Sequence, residues 1–176
     1  NDSGVFLSTN NGSNWTAVNN GLTDLDVKSL AVSGTNIYAG TNDSGVFKST
    51  NNGTSWAAVN NGLTYLGIRS FAVSGTNIFA GTYPSCVFLS TNSGTSWTSL
   101  NNGIPANSYV YALAVSGTNI FAGTEFGVFF SSNNGTSWTE VNNGLMNHGV
   151  YALAVSGTNV FAGTNQGGVF KSTNNG

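Results

Sequence analysis

One unit is written about four and a third times along this chain, and that constrains the fold more than any other feature. The stretch Ser-x-Asn-x-Gly-x-x-Trp occurs at Ser8–Trp15, Ser49–Trp56, Ser90–Trp97 and Ser131–Trp138. It begins again at Ser172 before Gly176. The spacing is 41 residues each time. A second block, Ala-Val-Ser-Gly-Thr-Asn, starts at Ala31, Ala72, Ala114 and Ala154, at spacings of 41, 42 and 40. The units run 1–41, 42–82, 83–124 and 125–164, with a partial unit at 165–176, and together read as one domain or a piece of one.

Each repeat predicts four strands and no helix. In the stretch from Val27 to Asn60, Val27–Ser33 alternates apolar and small residues, as an inner strand buried on both faces does. Gly34-Thr35 suits a two-residue type II′ hairpin turn. Ile37–Thr41, Gly45–Thr50 and Trp56–Val59 follow as strands, and Asn60-Asn61-Gly62 breaks the chain. No segment carries an apolar period of 3.6 residues or helix caps. A lone meander of this size cannot cover both faces, whereas sheets stacked radially cover one another. A period of ~40–45 residues with four strands per unit points to an all-β propeller of four-stranded antiparallel blades. A linear β-solenoid is the competing fold, but its coils are shorter and need no hairpin turn.

The Ser-x-Asn-x-Gly-x-x-Trp stretch resembles the Asp-box, and the chain resembles Asp-box (BNR-type) propeller repeat proteins, most of all the tandem repeats of secreted bacterial surface proteins. The likeness covers every complete unit. One departure recurs: the Asp position is Asn10, Asn51, Asn92, Asn133 and Asn174. The resemblance implies a structural turn between the third and fourth strands, away from any ligand face. On that reading Ser8, Asn10, Gly12 and Trp15 brace a loop, as do Ser49, Asn51, Gly53 and Trp56. Ser90, Asn92, Gly94 and Trp97, and Ser131, Asn133, Gly135 and Trp138, do the same. A secreted or cell-surface location follows from the same resemblance.

Composition narrows the function. Only 6% of residues are charged, against roughly 25% in ordinary globular proteins. Four Lys and Arg cannot form the basic face that nucleic acid requires. No apolar run reaches the ~20 residues of a membrane helix. Starting at Asn1 without Met, the sequence reads as a processed product or part of a longer chain. An open fragment would expose strand edges and favour self-association. Cys86 stands where other units have Gly45, Gly127 and Gly168, and reads as a small residue opening a strand.

Where near-identical units differ, function has room. Variation concentrates in the strand 4-to-1 and strand 2-to-3 connections, which emerge at one end of an up-and-down sheet. Loops on a rigid scaffold often carry recognition, although unselected drift leaves a similar trace. The candidate ligand-binding residues on this face are Asp24, Asp26, Lys28, Tyr65, Arg69, Tyr83, Asn107, Tyr109, Tyr111, Glu125, Phe126, Asn147, His148 and Tyr151. Lys28, Arg69, Tyr111 and Tyr151 hold matched positions near the rim of the central channel.

No catalytic residue, cofactor or metal site is expected. A sialidase-type centre gathers several arginines, and Arg69 is the only one here. Asp24, Asp26, Asp43 and Glu125 leave a glycoside-processing carboxyl pair as the enzymatic alternative. The Asp24-x-Asp26 pair supplies too few oxygens for calcium, and His148 has no partner ligand nearby in sequence. The favoured function is a non-catalytic binding scaffold for a glycan or a protein. A purely structural or filament-forming repeat is the other alternative.

Overall fold

The computed structural model describes residues 3–84, 86–146 and 149–176, apart from the Cys86 side chain. Two candidate site residues, Asn147 and His148, therefore lie outside the described residues, as do Asp2 and the side-chain environment of Cys86.

The described chain is all strand and turn. A short ribbon, β1 (Phe6–Leu7) and β2 (Thr16–Ala17), precedes three four-stranded antiparallel sheets. The first sheet contains β3 (Val27–Ser33), β4 (Asn36–Thr41), β5 (Val46–Ser49) and β6 (Ala57–Ala58). The second contains β7 (Gly67–Ser74), β8 (Asn77–Tyr83), β9 (Cys86–Ser90) and β10 (Thr98–Ser99). The third contains β11 (Val110–Ser116), β12 (Asn119–Thr124), β13 (Gly127–Ser131) and β14 (Thr139–Glu140). A three-stranded sheet follows: β15 (Val150–Ser156), β16 (Asn159–Thr164) and β17 (Gly168–Ser172). Strand order within each sheet is sequential, as in propeller blades.

Local chemistry explains each blade. Ser33 pairs with Asn36 across Gly34-Thr35, and Gly34 has φ +60° while Thr35 does not enter the left-handed region. That is the type II′ geometry whose twist suits a hairpin. At each seam between blades, side chains of one sheet interlock with those of the next. Tyr38 and Val46 meet Ile68, Phe71 and Val73 at the first such seam. Phe79 and Val87 meet Leu113 and Val115 at the second, and Phe121 and Val128 meet Leu153 and Val155 at the third.

The Ser-x-Asn loops brace the outer strands. Ser49 Oγ donates to Asn51 Oδ1 (2.9 Å) and accepts the Gly53 N–H (2.9 Å). Asn51 Oδ1 accepts the Ser55 N–H, and Asn51 Nδ2 donates to Ser55 Oγ, both at 2.9 Å. The same amide-to-hydroxyl bond joins Asn92 to Ser96 and Asn133 to Ser137. An amide supplies that donor and a carboxylate does not, which gives Asn a physical reason at this position. The box tryptophans then tie neighbouring blades. The indole N–H groups of Trp56, Trp97 and Trp138 donate to the carbonyls of Val18, Val59 and Leu100 at 2.7, 2.8 and 2.9 Å.

Two-sided burial fails at the inner strands of the two outermost sheets, β3 and β15, where β15 leaves Ala152, Ala154 and Ser156 exposed. β3 has a full sheet against only one face, because the ribbon β1–β2 covers just the outer part of the other. Lys28, Leu30 and Val32 are consequently exposed, while the equivalent Leu113 is buried. Burial on both faces is a property of the stack and not of the strand sequence. The sheets form an open arc: β15–β17 packs on the third sheet and pairs with no strand of β1–β2.

Candidate functional site

The two variable connections of each blade meet at one end of the sheets and bond to each other. The Asn42 N–H donates to Asp26 O, Gly45 N–H to Leu66 O, and Asn165 N–H to Gly149 O, each at 2.9 Å. Side chains join in: Asp24 Oδ2 accepts the Asp43 N–H (2.9 Å), and Glu125 Oε2 accepts the Tyr109 N–H (2.6 Å). The Gly34, Gly75, Gly117 and Gly157 turns lie at the far end of the hairpins.

A backbone irregularity shapes the rim. In every inner strand the pairing register shifts at the same place: Val27/Ser29, Ile68/Ser70, Val110/Ala112 and Val150/Ala152. The residues at the shift are Lys28, Arg69, Tyr111 and Tyr151. A bulge breaks strict alternation and re-aims a side chain. It thus sets these four apart from the residues committed to the seams.

Four tyrosines stack there across three blades. Tyr83 and Tyr109 rings lie 3.8 Å apart, Tyr109 and Tyr111 5.3 Å, and Tyr111 and Tyr151 4.4 Å, all within 18° of parallel. Tyr83 and Tyr151, at the two ends of the row, are exposed. Such ring pairs contribute ~0.5–1.5 kcal/mol each beyond area burial. Burial pushes the Tyr111 phenol up to about 12, aided by its hydrogen bond to the Tyr151 hydroxyl and the nearby Glu125 charge. The folded state therefore holds this proton more tightly than the unfolded chain. Stability is expected to fall as pH rises from the ordinary tyrosine value of 10.0 towards 12. An ultraviolet titration is expected to show late-ionising tyrosines, since Tyr38 and Tyr109 are also pushed up, and Tyr151→Phe should bring Tyr111 earlier.

The acidic residues of this face are engaged in bracing it. For Asp24, burial raises the pKa, but the N–H groups of Asp43 and Asp26 outweigh it and hold the carboxyl below its ordinary range. Asp26 pairs with Lys28 at 2.6 Å, and Asp43 accepts an amide N–H from Asn42 (2.8 Å). Asp24, Asp26 and Lys28 form a separate group at the first blade. Tyr65 and Phe126 are exposed on their loops, and Asn107 turns its loop with φ +63°. Arg69 lies close enough to act electrostatically on Tyr109.

One set of residues escaped the sequence reading. Asn60, taken there as part of a chain break, clamps the start of β5: Oδ1 accepts the Val46 N–H (2.8 Å) and Nδ2 donates to Ser44 O (2.9 Å). Asn19 and Asn142 do the same for Val5 and Val128. Their strict recurrence before each Asn-Gly pair was the available signal. Asn60→Ala is expected to destabilise the fold by ~1–3 kcal/mol, read by chemical denaturation, because it strands a buried amide.

No family model matches this sequence, and no curated protein matches it. Solved structures do. An ancestral GH74 enzyme is 25% identical with a TM-score of 0.75, covering 92% of this chain and 24% of that one. A GH74 xyloglucanase from Xanthomonas campestris is 16% identical with a TM-score of 0.78, covering 99% of this chain and 34% of the other. The extracellular domain of a one-component-system protein from B. thetaiotaomicron is 18% identical with a TM-score of 0.78, covering 97% and 25%. The chain thus spans about a quarter to a third of these structures. Together with the sequential four-stranded sheets, the likeness shows that this chain has the β-propeller fold.

Proposed function

We propose that this chain is a non-catalytic propeller module of a secreted or cell-surface protein, and that its variable-loop face binds a glycan or a protein. The stacked tyrosines carry this reading. Rigid phenol rings offer apolar edges and hydroxyls at little cost in side-chain entropy. A net charge of −2 and neutral amide-rich loops favour an uncharged ligand. The Ser-x-Asn turns, acting as loop braces on the outer strands, support kinship with Asp-box propellers. An extracellular setting is supported by the extracellular domain among the similar structures.

The similar GH74 enzymes suggest glycoside processing as a second reading. Against it, Asp24, Asp26, Asp43 and Glu125 each accept a hydrogen bond or ion pair that braces a loop. A glycan array separates these readings. Bound glycan that is released intact, with binding lost on Tyr109→Ala, is the expected result. Hydrolysis that stops on Glu125→Gln would favour the enzyme. No binding to any glycan or matrix protein would remove the ligand-binding role.

A further inference from the structure

Tyr83 and Tyr109 meet on the variable face, where the second and third sheets approach each other. Tyr83 ends β8, and Tyr109 directly precedes β11. Their ring centroids lie 3.8 Å apart with the planes 12° from parallel, the tightest step of the tyrosine row. The two hydroxyls hydrogen-bond to each other, so the rings stack phenol end on phenol end. Each Cε, ortho to a hydroxyl, thereby faces a Cε of the other ring. The sequence places two phenols together here at one seam alone. Tyr83 follows Thr82 as Asn42, Glu125 and Asn165 follow Thr41, Thr124 and Thr164. Tyr109 precedes Val110 as Asp26, Gly67 and Gly149 precede Val27, Ile68 and Val150.

We propose that Tyr83 and Tyr109 are an oxidative cross-linking site, at which a haem peroxidase consuming hydrogen peroxide joins the two rings as dityrosine and ties the second blade covalently to the third. Each phenol loses one electron and its hydroxyl proton, leaving two phenoxyl radicals whose unpaired spin is shared with the ortho carbons. A Cε of Tyr83 then bonds to a Cε of Tyr109. Each joined carbon gives up its hydrogen as a proton, which goes to the oxygen of the same ring and restores aromaticity. The peroxide takes up the two electrons and two protons, its O–O bond breaks, and two waters leave.

Access and electrostatics suit the step. Tyr83 is 39% exposed, so an electron leaves through it to a bulky oxidant. Its place at a strand end lets the ring tilt as the new bond draws the pair together. The Glu125 carboxylate accepts the Tyr109 N–H at 2.6 Å. Its charge acts on Tyr109 more strongly than that of Arg69, and a negative charge beside a phenol favours electron loss. The sequence holds a single cysteine, so no disulfide within it ties its blades. A bond between residues 83 and 109 closes a loop and constrains the unfolded chain as a disulfide does. It also fixes the separation of two variable loops, whether or not that face holds a ligand.

Oxidation of the full chain at low concentration, with hydrogen peroxide and a haem peroxidase, tests this. Dityrosine emission is expected from a product that remains a single chain and has lost two hydrogen atoms in mass. Chymotrypsin, which cuts at Phe88 and Trp97 between the two residues, should release peptides joined through Tyr83 and Tyr109. The oxidised chain should unfold at a higher denaturant concentration than the untreated one. Tyr83→Phe and Tyr109→Phe, each folded by circular dichroism, should lose the emission to background, while Tyr151→Phe keeps it. Tyr111 and Tyr151, 4.4 Å apart, are the competing pair. Emission that survives Tyr83→Phe and vanishes in Tyr151→Phe assigns the coupling to them and overturns the proposal. So does coupling found only between chains, or peroxide exhausted with no coupled tyrosine.

Discussion

Replacing Trp97 by alanine is expected to cost ~3–5 kcal/mol of folding stability, while the same change at Trp15 costs less than ~1 kcal/mol in dilute solution. Both residues occupy the same place in the same motif. Their surroundings differ. Trp97 is buried in the seam between the first and second sheets, among Tyr38, Val46, Phe88, Val59 and Leu63. Its indole N–H donates to Val59 O at 2.8 Å, and its backbone N–H donates to Asn61 O at 2.9 Å. Truncation leaves a cavity and an unpaired carbonyl inside the seam. No described strand packs over the Trp15 ring, which stands largely in water. Chemical denaturation of the two variants against the parent chain measures the difference. Equal losses would mean that the tryptophans act only within their own loops.

Gly62→Ala is expected to destabilise by on the order of 3 kcal/mol, combining left-handed backbone strain of ~1–2 kcal/mol with overpacking of ~1–3 kcal/mol. Gly62 sits at φ +89°, in the turn that follows β6 and folds over the next blade's tryptophan. A Cβ there would fall far inside contact distance of the Trp97 carbonyl oxygen. Backbone on both sides must move, because no flexible side chain is available to give way. Gly34→Ala is the comparison: it shares a positive φ of +60°, but a Cβ there meets nothing within 4 Å. Its cost is the backbone strain alone. Thermal melts should rank the parent chain first, Gly34→Ala second and Gly62→Ala last.

The sequence foretells the strands because turn chemistry and a repeated period mark both ends of each one. Gly34-Thr35, for instance, fixes the pairing of Ser33 with Asn36, and the rest of the register follows. The bulges at Lys28, Arg69, Tyr111 and Tyr151 are less legible. They are changes of backbone pairing, and the residues occupying them differ in charge and size. The tyrosine row was legible only as a set of candidates. Tyr83 comes from a strand end, Tyr109 from the preceding side of β11, and Tyr111 and Tyr151 from two bulges, so their stacking depends on how three blades approach. Exposure at the two ends of the arc was not legible either. Trp15 and Trp97 stand in closely matching motifs, and the presence or absence of a neighbouring blade is what separates them. Asn60 illustrates a further limit. An Asn-Asn-Gly run signals a turn, but the bond from its side chain to Val46, fourteen residues earlier, is a tertiary fact.

Two-dimensional amide spectra, recorded while a glycan selected from the array is added, test the binding account most directly. Shifts are expected at 24–28, 65–69, 83, 107–111, 125–126 and 151, where the variable loops and the tyrosine row lie together. The amides of Gly34, Gly75, Gly117 and Gly157 at the opposite end should stay still. Shifts centred on those glycine turns, or spread evenly over both ends of the blades, would contradict it.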